Sequence, residues 1–195
     1  MRPFVTCAFL ALAGIGHATA VGAAQTRASP DSSPAASTSS TSAPAASVSA
    51  DSAPAWLVAD PAAKTVTIAL QVTHGADGAA LINGHRKGEL QIVVPLNWTV
   101  QWDWRNADST APHSLVIMAE REKLPTEGGR AAFSNAMTRS VTAGLPAGQG
   151  DRTTFTAEEA GWYWLLCGVP SHAIGGEYLG LRVDPEAKTA VVRRK

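Results

Sequence analysis

From Trp56 onward the polar and apolar positions repeat with a period of two. Val66, Ile68, Leu70 and Val72 alternate with Thr65, Thr67, Ala69 and Gln71. Leu90, Ile92 and Val94 alternate after Gly88, and Trp98, Val100, Trp102 and Trp104 alternate with Thr99, Gln101, Asp103 and Arg105. His113, Leu115 and Ile117 share one parity at the start of a further strand, and Leu179, Leu181 and Val183 share another. Successive side chains of a strand point to opposite faces, so each series predicts a strand with one face on a core. The run 162–167 is apolar on both parities, which predicts a central strand covered on both sides. Short strands punctuated by Gly, Pro, Asn and Asp, with no convincing amphipathic helix, predict an all-β sandwich or barrel. The stretch 119–150 breaks the pattern. It holds charges, Gly and Pro and only a weak strand signal around 140–143, and a connection that long is either functional or mobile.

Upstream of Trp56 the pattern changes. Arg2 precedes an apolar run over 4–16, followed by small residues in Ala18-Thr19-Ala20 and Gly22-Ala23-Ala24. This is the layout of a secretory signal, and the run falls short of the ~20 residues that span a bilayer. Residues 25–55 are almost wholly Ala, Ser, Thr and Pro, too poor in apolar surface to order themselves. The chain therefore divides into a signal peptide (1–24), a disordered linker (25–55), a folded domain (56–187) and a basic, solvated tail (188–195). The expected product is an exported monomer, periplasmic or otherwise extracytoplasmic, whose N-terminus is its only route to a membrane.

Charge and cysteine count narrow the chemistry. Sixteen Lys+Arg against sixteen Asp+Glu gives no electrostatic reason to expect a nucleic acid as partner. Two cysteines exclude a scaffold stapled by disulfides. Cleavage of the signal would remove Cys7 and leave Cys167 alone. A solitary thiol in an oxidising compartment is a liability unless it is buried or bound. Cys167 ends an apolar strand, and His172 follows it after Gly168-Val169-Pro170-Ser171. His113 lies far upstream, just after Pro112. One thiolate and two imidazoles meeting at one end of a sandwich would suit copper, because thiolate binds Cu(I), imidazole serves both oxidation states and a trigonal geometry compromises between them. Zinc competes for Cys and His but prefers four firm ligands in a tetrahedron. No nucleophile–base pair, phosphate loop or paired-carboxylate signature stands out. His74 and His85 flank a polar, Gly-rich turn and are expected as solvated loop residues. Trp98, Trp102 and Trp104 are at strand spacing and are expected in the core. Met118 has the opposite parity to His113 and is expected to pack, whereas Met137 is weighed as a replacement thioether ligand.

The stretch Gly161-Trp162-Tyr163-Trp164-Leu165-Leu166-Cys167-Gly168-Val169-Pro170-Ser171-His172-Ala173 resembles the copper-binding signature of the sulfocyanin branch of cupredoxins. Ala111-Pro112-His113-Ser114-Leu115-Val116-Ile117 does too, and so does the stretch from Gly88 to Trp98. The resemblance spans roughly residues 80–184. It implies a Greek-key β-sandwich, one type 1 copper ion, and one-electron transfer between redox protein partners rather than catalysis. It also implies His113, Cys167 and His172 as the equatorial ligands. The family places an axial Met five residues after the second His; here Glu177 stands in that position. Glu177 shares parity with Leu179, Leu181 and Val183, which predicts an inward aim. A buried carboxylate without a partner costs several kcal/mol. Three readings follow: an axial oxygen ligand, an acceptor for an imidazole N–H, or a solvent-facing side chain. An anionic oxygen ligand would favour Cu(II) and lower the reduction potential. It also opens an alternative, a copper-binding protein with a reactive, storage or small-molecule role.

Overall fold

A computed structural model describes residues 53–195 except residue 122. The signal-peptide expectation and nearly all of the linker expectation lie outside the described residues. Ten strands follow in order: β1 (Leu57–Asp60), β2 (Thr65–His74), β3 (Ala80–Ile82), β4 (Leu90–Pro95), β5 (Thr99–Asn106), β6 (Val116–Ala119), β7 (Gly150–Thr156), β8 (Gly161–Leu166), β9 (Tyr178–Asp184) and β10 (Val191–Arg194). Among the described residues there is no helix.

One sheet has the order β1-β2-β5-β7, with β3 on β2, and the other has the order β10-β4-β9-β8-β6. β2–β5 and β4–β9 are parallel. Those pairs join strands far apart in sequence, so the chain must cross between the sheets as a Greek-key sandwich does. The alternating series fill the space between them. Val66, Ile68, Leu70 and Val72 on β2, and Val100, Trp102 and Trp104 on β5, are all buried. Leu179, Leu181 and Val183 are buried on the facing sheet. Trp102 meets Phe155 edge to face, 5.6 Å between ring centres. Fully burying one such side chain contributes about 1.5–3 kcal/mol.

Four expectations change. Residues 191–194 are not a solvated tail; they form β10 and pair with β4, Val191 opposite Val93. Ala190 is buried, and the Val-Val pair satisfies an edge that β4 would otherwise leave open. His113 does not begin a strand; it forms an isolated bridge with Leu145, three residues before β6. β8 is not covered on both sides along its length, because Trp162 remains half-exposed. Arg182 and Lys195 lie over its ring at 4.9 Å and 5.6 Å, so long cationic stems do the covering. Finally, Ser140 lies in the left-handed region at φ 54° and residues 141–143 form a turn rather than a strand.

The segment 119–150 is a structural part of the domain. Phe133 stacks on Phe155, 5.5 Å apart, and tilts against Tyr163 at 4.8 Å. Ala136 and Leu145 join the same core. The Ile117 N–H donates to the Ala136 carbonyl and the Ala132 N–H to the Ile117 carbonyl, so the segment also occupies the outer edge of β6.

Candidate metal centre

The pairing order places three chain ends together. β8 runs antiparallel to both β6 and β9, with Leu166 opposite Val116 and Tyr178. The residue leaving β8 (Cys167), the residue entering β9 (Glu177) and the approach to β6 (His113) therefore meet at one end of the sandwich. His172 comes from the turn between Cys167 and Glu177. That turn is closed by its own backbone. Cys167 N–H donates to the Glu177 carbonyl, Glu177 N–H to the His172 carbonyl and His172 N–H to the Val169 carbonyl, each at 3.1 Å.

The segment 119–150 braces both halves. Ser171 N–H donates to the Thr126 carbonyl at 2.7 Å, and Leu145 N–H donates to the His113 carbonyl at 2.7 Å. Gly144 makes the second contact. Its φ is +74°, and a Cβ there would lie 2.9 Å from the His113 nitrogen and 3.0 Å from the Pro112 carbonyl carbon. Gly144→Ala is expected to cost about 1–3 kcal/mol and to weaken copper retention. Chemical denaturation and a chelator competition measure both; an unaltered variant would show that the bridge to His113 does not position the ligand.

Four donor atoms converge, one each from His113, Cys167, His172 and Glu177, all within 4.8 Å of one another. Glu177 Oε2 is 2.8 Å from His113 Nδ1 and 3.0 Å from His172 Nδ1. The two Nδ1 atoms are 3.3 Å apart, and Cys167 Sγ is 3.9 Å and 3.6 Å from them. Bonds of about 2.0–2.1 Å to imidazole and about 2.3 Å to thiolate put neighbouring donors roughly 3.3–3.8 Å apart at tetrahedral to trigonal angles. The two imidazole nitrogens and the sulfur, 3.3 Å to 3.9 Å apart, come close to that spacing and fit one metal ion, whereas Glu177 Oε2 stands nearer both nitrogens, at hydrogen-bond distance. Sulfur with two imidazoles favours copper or zinc over the hard cations. Cys167, His113 and Glu177 are buried, while His172 reaches the surface with about a quarter of its side chain exposed. Glu177 Oε1 is buried without a hydrogen-bond partner, an uncompensated carboxylate oxygen that a cation would satisfy. Ser114 supports the sulfur. Its N–H points at Sγ from 3.4 Å, and its hydroxyl accepts from Gly168 N–H at 2.9 Å.

The cluster also holds protons when no cation is bound. Burial pushes His113 down, but Cys167, Glu177 and Asp108 outweigh it and raise its pKa to about 10. Cys167 and Glu177 raise His172 to about 9. Burial pushes the Cys167 thiol up, and the two histidines overcome this and lower it. At neutral pH both imidazoles are thus protonated and must lose those protons to become ligands. Copper affinity should therefore rise with pH, by about 100-fold per unit below pH ~9 if two protons leave. Competition with a chelator across pH 6–9 measures this; a flat profile would contradict it.

Two residues beside this cluster escape a reading of the sequence. Asp108 is buried, with Oδ2 3.1 Å from His113 Nε2 and 3.2 Å from His74 Nδ1. Burial pushes its carboxyl up, but the Thr110 hydroxyl and N–H, then His113 and His74, hold it well below the usual carboxylate range. Asn106-Ala107-Asp108-Ser109-Thr110 looks like ordinary turn punctuation, with no local sign of an imidazole partner. His74, expected as a solvated loop residue, ends β2 and reaches this carboxylate. His85 remains a polar turn residue, 3.4 Å from Glu89. Met137 is partly exposed and bridges Val116 rather than joining the four donors. Met118 Sδ accepts from Gly129 N–H. Trp98, Trp102 and Trp104 are in the core.

A cleft of about 300 Å³ leads inward between His74, Asp108, Thr110, His113, His172 and Glu177. A larger groove on the first sheet, about 1010 Å³, holds the Arg139–Asp151 and Arg152–Asp103 ion pairs and none of the four donors.

Comparison with known proteins completes the description. A sulfocyanin (SoxE) domain model matches residues 52–190. No curated protein matches the chain. Among solved structures, it is similar to dithionite-reduced auracyanin from the photosynthetic bacterium Roseiflexus castenholzii, with 22% identity and a TM-score of 0.42, covering 61% of this chain and 97% of that one. It is also similar to rusticyanin from Thiobacillus ferrooxidans, with 21% identity and a TM-score of 0.38, covering 62% and 82%. A copper-containing nitrite reductase from Thermus scotoductus SA-01 matches at 20% identity and a TM-score of 0.42, covering 62% of this chain and 28% of that one.

Proposed function

The chain belongs to the sulfocyanin domain family of cupredoxins, and from that premise we propose that it carries single electrons between redox proteins through one copper ion held by His113, Cys167, His172 and Glu177. The convergence of four donor atoms from separate parts of the chain carries this reading. Copper supplies the Cu(I)/Cu(II) couple. The protein supplies everything else. Cys167 offers a soft, anionic donor in a dry setting, and the Ser114 N–H steadies its charge. His113 ties the site to the segment 119–150 through Leu145. His172, partly exposed, is the point where electrons enter and leave. Glu177 contributes a negative oxygen in place of a neutral thioether. A backbone-closed turn keeps the donors nearly still through a redox cycle, which limits reorganisation.

In this reading residues 1–24 direct export, residues 25–55 tether the domain, and the exported chain works as a monomer outside the cytoplasm. Its partners are redox proteins, and any attachment to a membrane would run through the N-terminus.

A second reading rests on the cleft that reaches His113, His172 and Glu177, which would admit a small molecule to a reactive site. One set of measurements on the purified chain separates the two. Metal analysis, visible and EPR spectra and voltammetry should give one copper per chain and a reversible one-electron wave. Azide should leave the EPR spectrum unchanged. An azide-dependent spectrum would favour the reactive site, and failure to bind copper stoichiometrically would remove both readings.

A further inference from the structure

Resting on the copper reading above, we propose that Asp108 is a positioning residue for His113, with His74 completing the arrangement from the surface side. One oxygen of Asp108 belongs to a local turn: Oδ1 accepts from the Thr110 N–H at 2.7 Å and from the Thr110 hydroxyl at 2.6 Å. Such a turn needs only that oxygen. Oδ2 does something else. It lies 3.1 Å from His113 Nε2 and 3.2 Å from His74 Nδ1, between two imidazoles from different elements.

The frame around it is tied to the same histidine. Asp108 N–H donates to Asn106 Oδ1 at 2.9 Å. Asn106 Nδ2 donates to the carbonyls of Ala111 and Leu145, both at 2.9 Å, and Leu145 is the bridge partner of His113. The carboxylate and the ligand are therefore held by one network.

For His113 bound to copper as a neutral ring, the consequence is a fixed tautomer. Its Nδ1 faces the sulfur, the second imidazole and Glu177, so Nε2 must carry the hydrogen and donate it to Asp108. A full negative charge at Nε2 makes the ring a stronger donor at Nδ1, which favours the more highly charged metal state. His74 donates to the same Oδ2 from the partly exposed end of β2. It keeps that oxygen oriented toward His113. Among the described residues, no carboxylate contacts the Nε2 of His172. One imidazole is thus buttressed and buried, while the other is left at the surface.

The test uses the copper-loaded full chain. In the reduced wild type, NMR should find one histidine N–H, that of His113 Nε2, exchanging slowly with solvent. In Asp108→Asn that exchange should become about tenfold faster, the reduction potential should rise, and one copper per chain should remain. His74→Gln should move the potential in the same direction by less. An Asp108→Asn protein with wild-type exchange and wild-type potential would overturn the proposal. Should that variant fail to fold, rapid exchange of the His113 N–H in the wild type would overturn it alone. Copper bound without His113, or not bound at all, would instead overturn the copper reading and this inference with it.

Discussion

Replacing Cys167 with Ser removes the intense visible absorption of the copper-loaded chain while the β-sandwich stays folded. That band needs a thiolate bonded to copper, and Cys167 is the only sulfur among the four converging donors. A serine hydroxyl in the same place is harder and stays protonated near neutral pH, so it offers neither the soft lone pair nor the charge. The fold should tolerate the change. Serine is slightly smaller, and its hydroxyl would find the Ser114 N–H, which now points at Sγ from 3.4 Å. The stability cost should stay within the roughly 0.5–3 kcal/mol typical of single substitutions. Copper affinity should fall by more than the roughly 10–100-fold that loss of an outer partner costs. Absorption and EPR spectra, with circular dichroism for the fold, check this. An intense band in the variant would mean that Cys167 is not a ligand.

The second large effect belongs to Glu177. Glu177→Met should raise the reduction potential. The carboxylate oxygen lies 2.8 Å and 3.0 Å from the two imidazole nitrogens that face the metal position, and as an anion it favours Cu(II). A thioether is neutral and soft and favours Cu(I). The change also reaches the metal-free protein. Glu177 helps to raise the pKa of both histidines, so its loss lowers them. Protons then compete less, and copper uptake should extend to lower pH. Voltammetry and the pH profile of chelator competition read the two consequences separately. A potential that falls or does not move would reject an axial carboxylate. A raised potential with an unmoved pH profile would mean that Glu177 does not pair with the imidazoles.

Much of the fold was legible because strand periodicity is local. Val66 to Val72 and Trp98 to Trp104 show their inward faces by spacing alone, and both sets are buried. The same logic reached Glu177, whose parity with Leu179, Leu181 and Val183 predicted an inward aim, and its side chain is buried with Oε2 against both histidines. The spacing of Cys167 and His172 around a Gly- and Pro-containing turn pointed to the end of β8. The segment 119–150 gave no such signal. It buries single anchors, Phe133, Ala136 and Leu145, rather than an alternating face, and isolated apolar residues leave no period to read.

What the chain by itself determined is therefore six of the ten strands, β2, β4, β5, β6, β8 and β9, the faces most of them turn inward, the family signature and the four side chains worth placing together. Tertiary structure alone decided that Val191–Arg194 would close the edge of β4, that Leu145 would hold His113, and that His74 would reach the Asp108 carboxylate that meets that histidine from the other side. The reason is physical. The direction of a side chain follows from its own backbone, whereas its partner follows from which strands pair and in what register, and those pairings join residues dozens of positions apart.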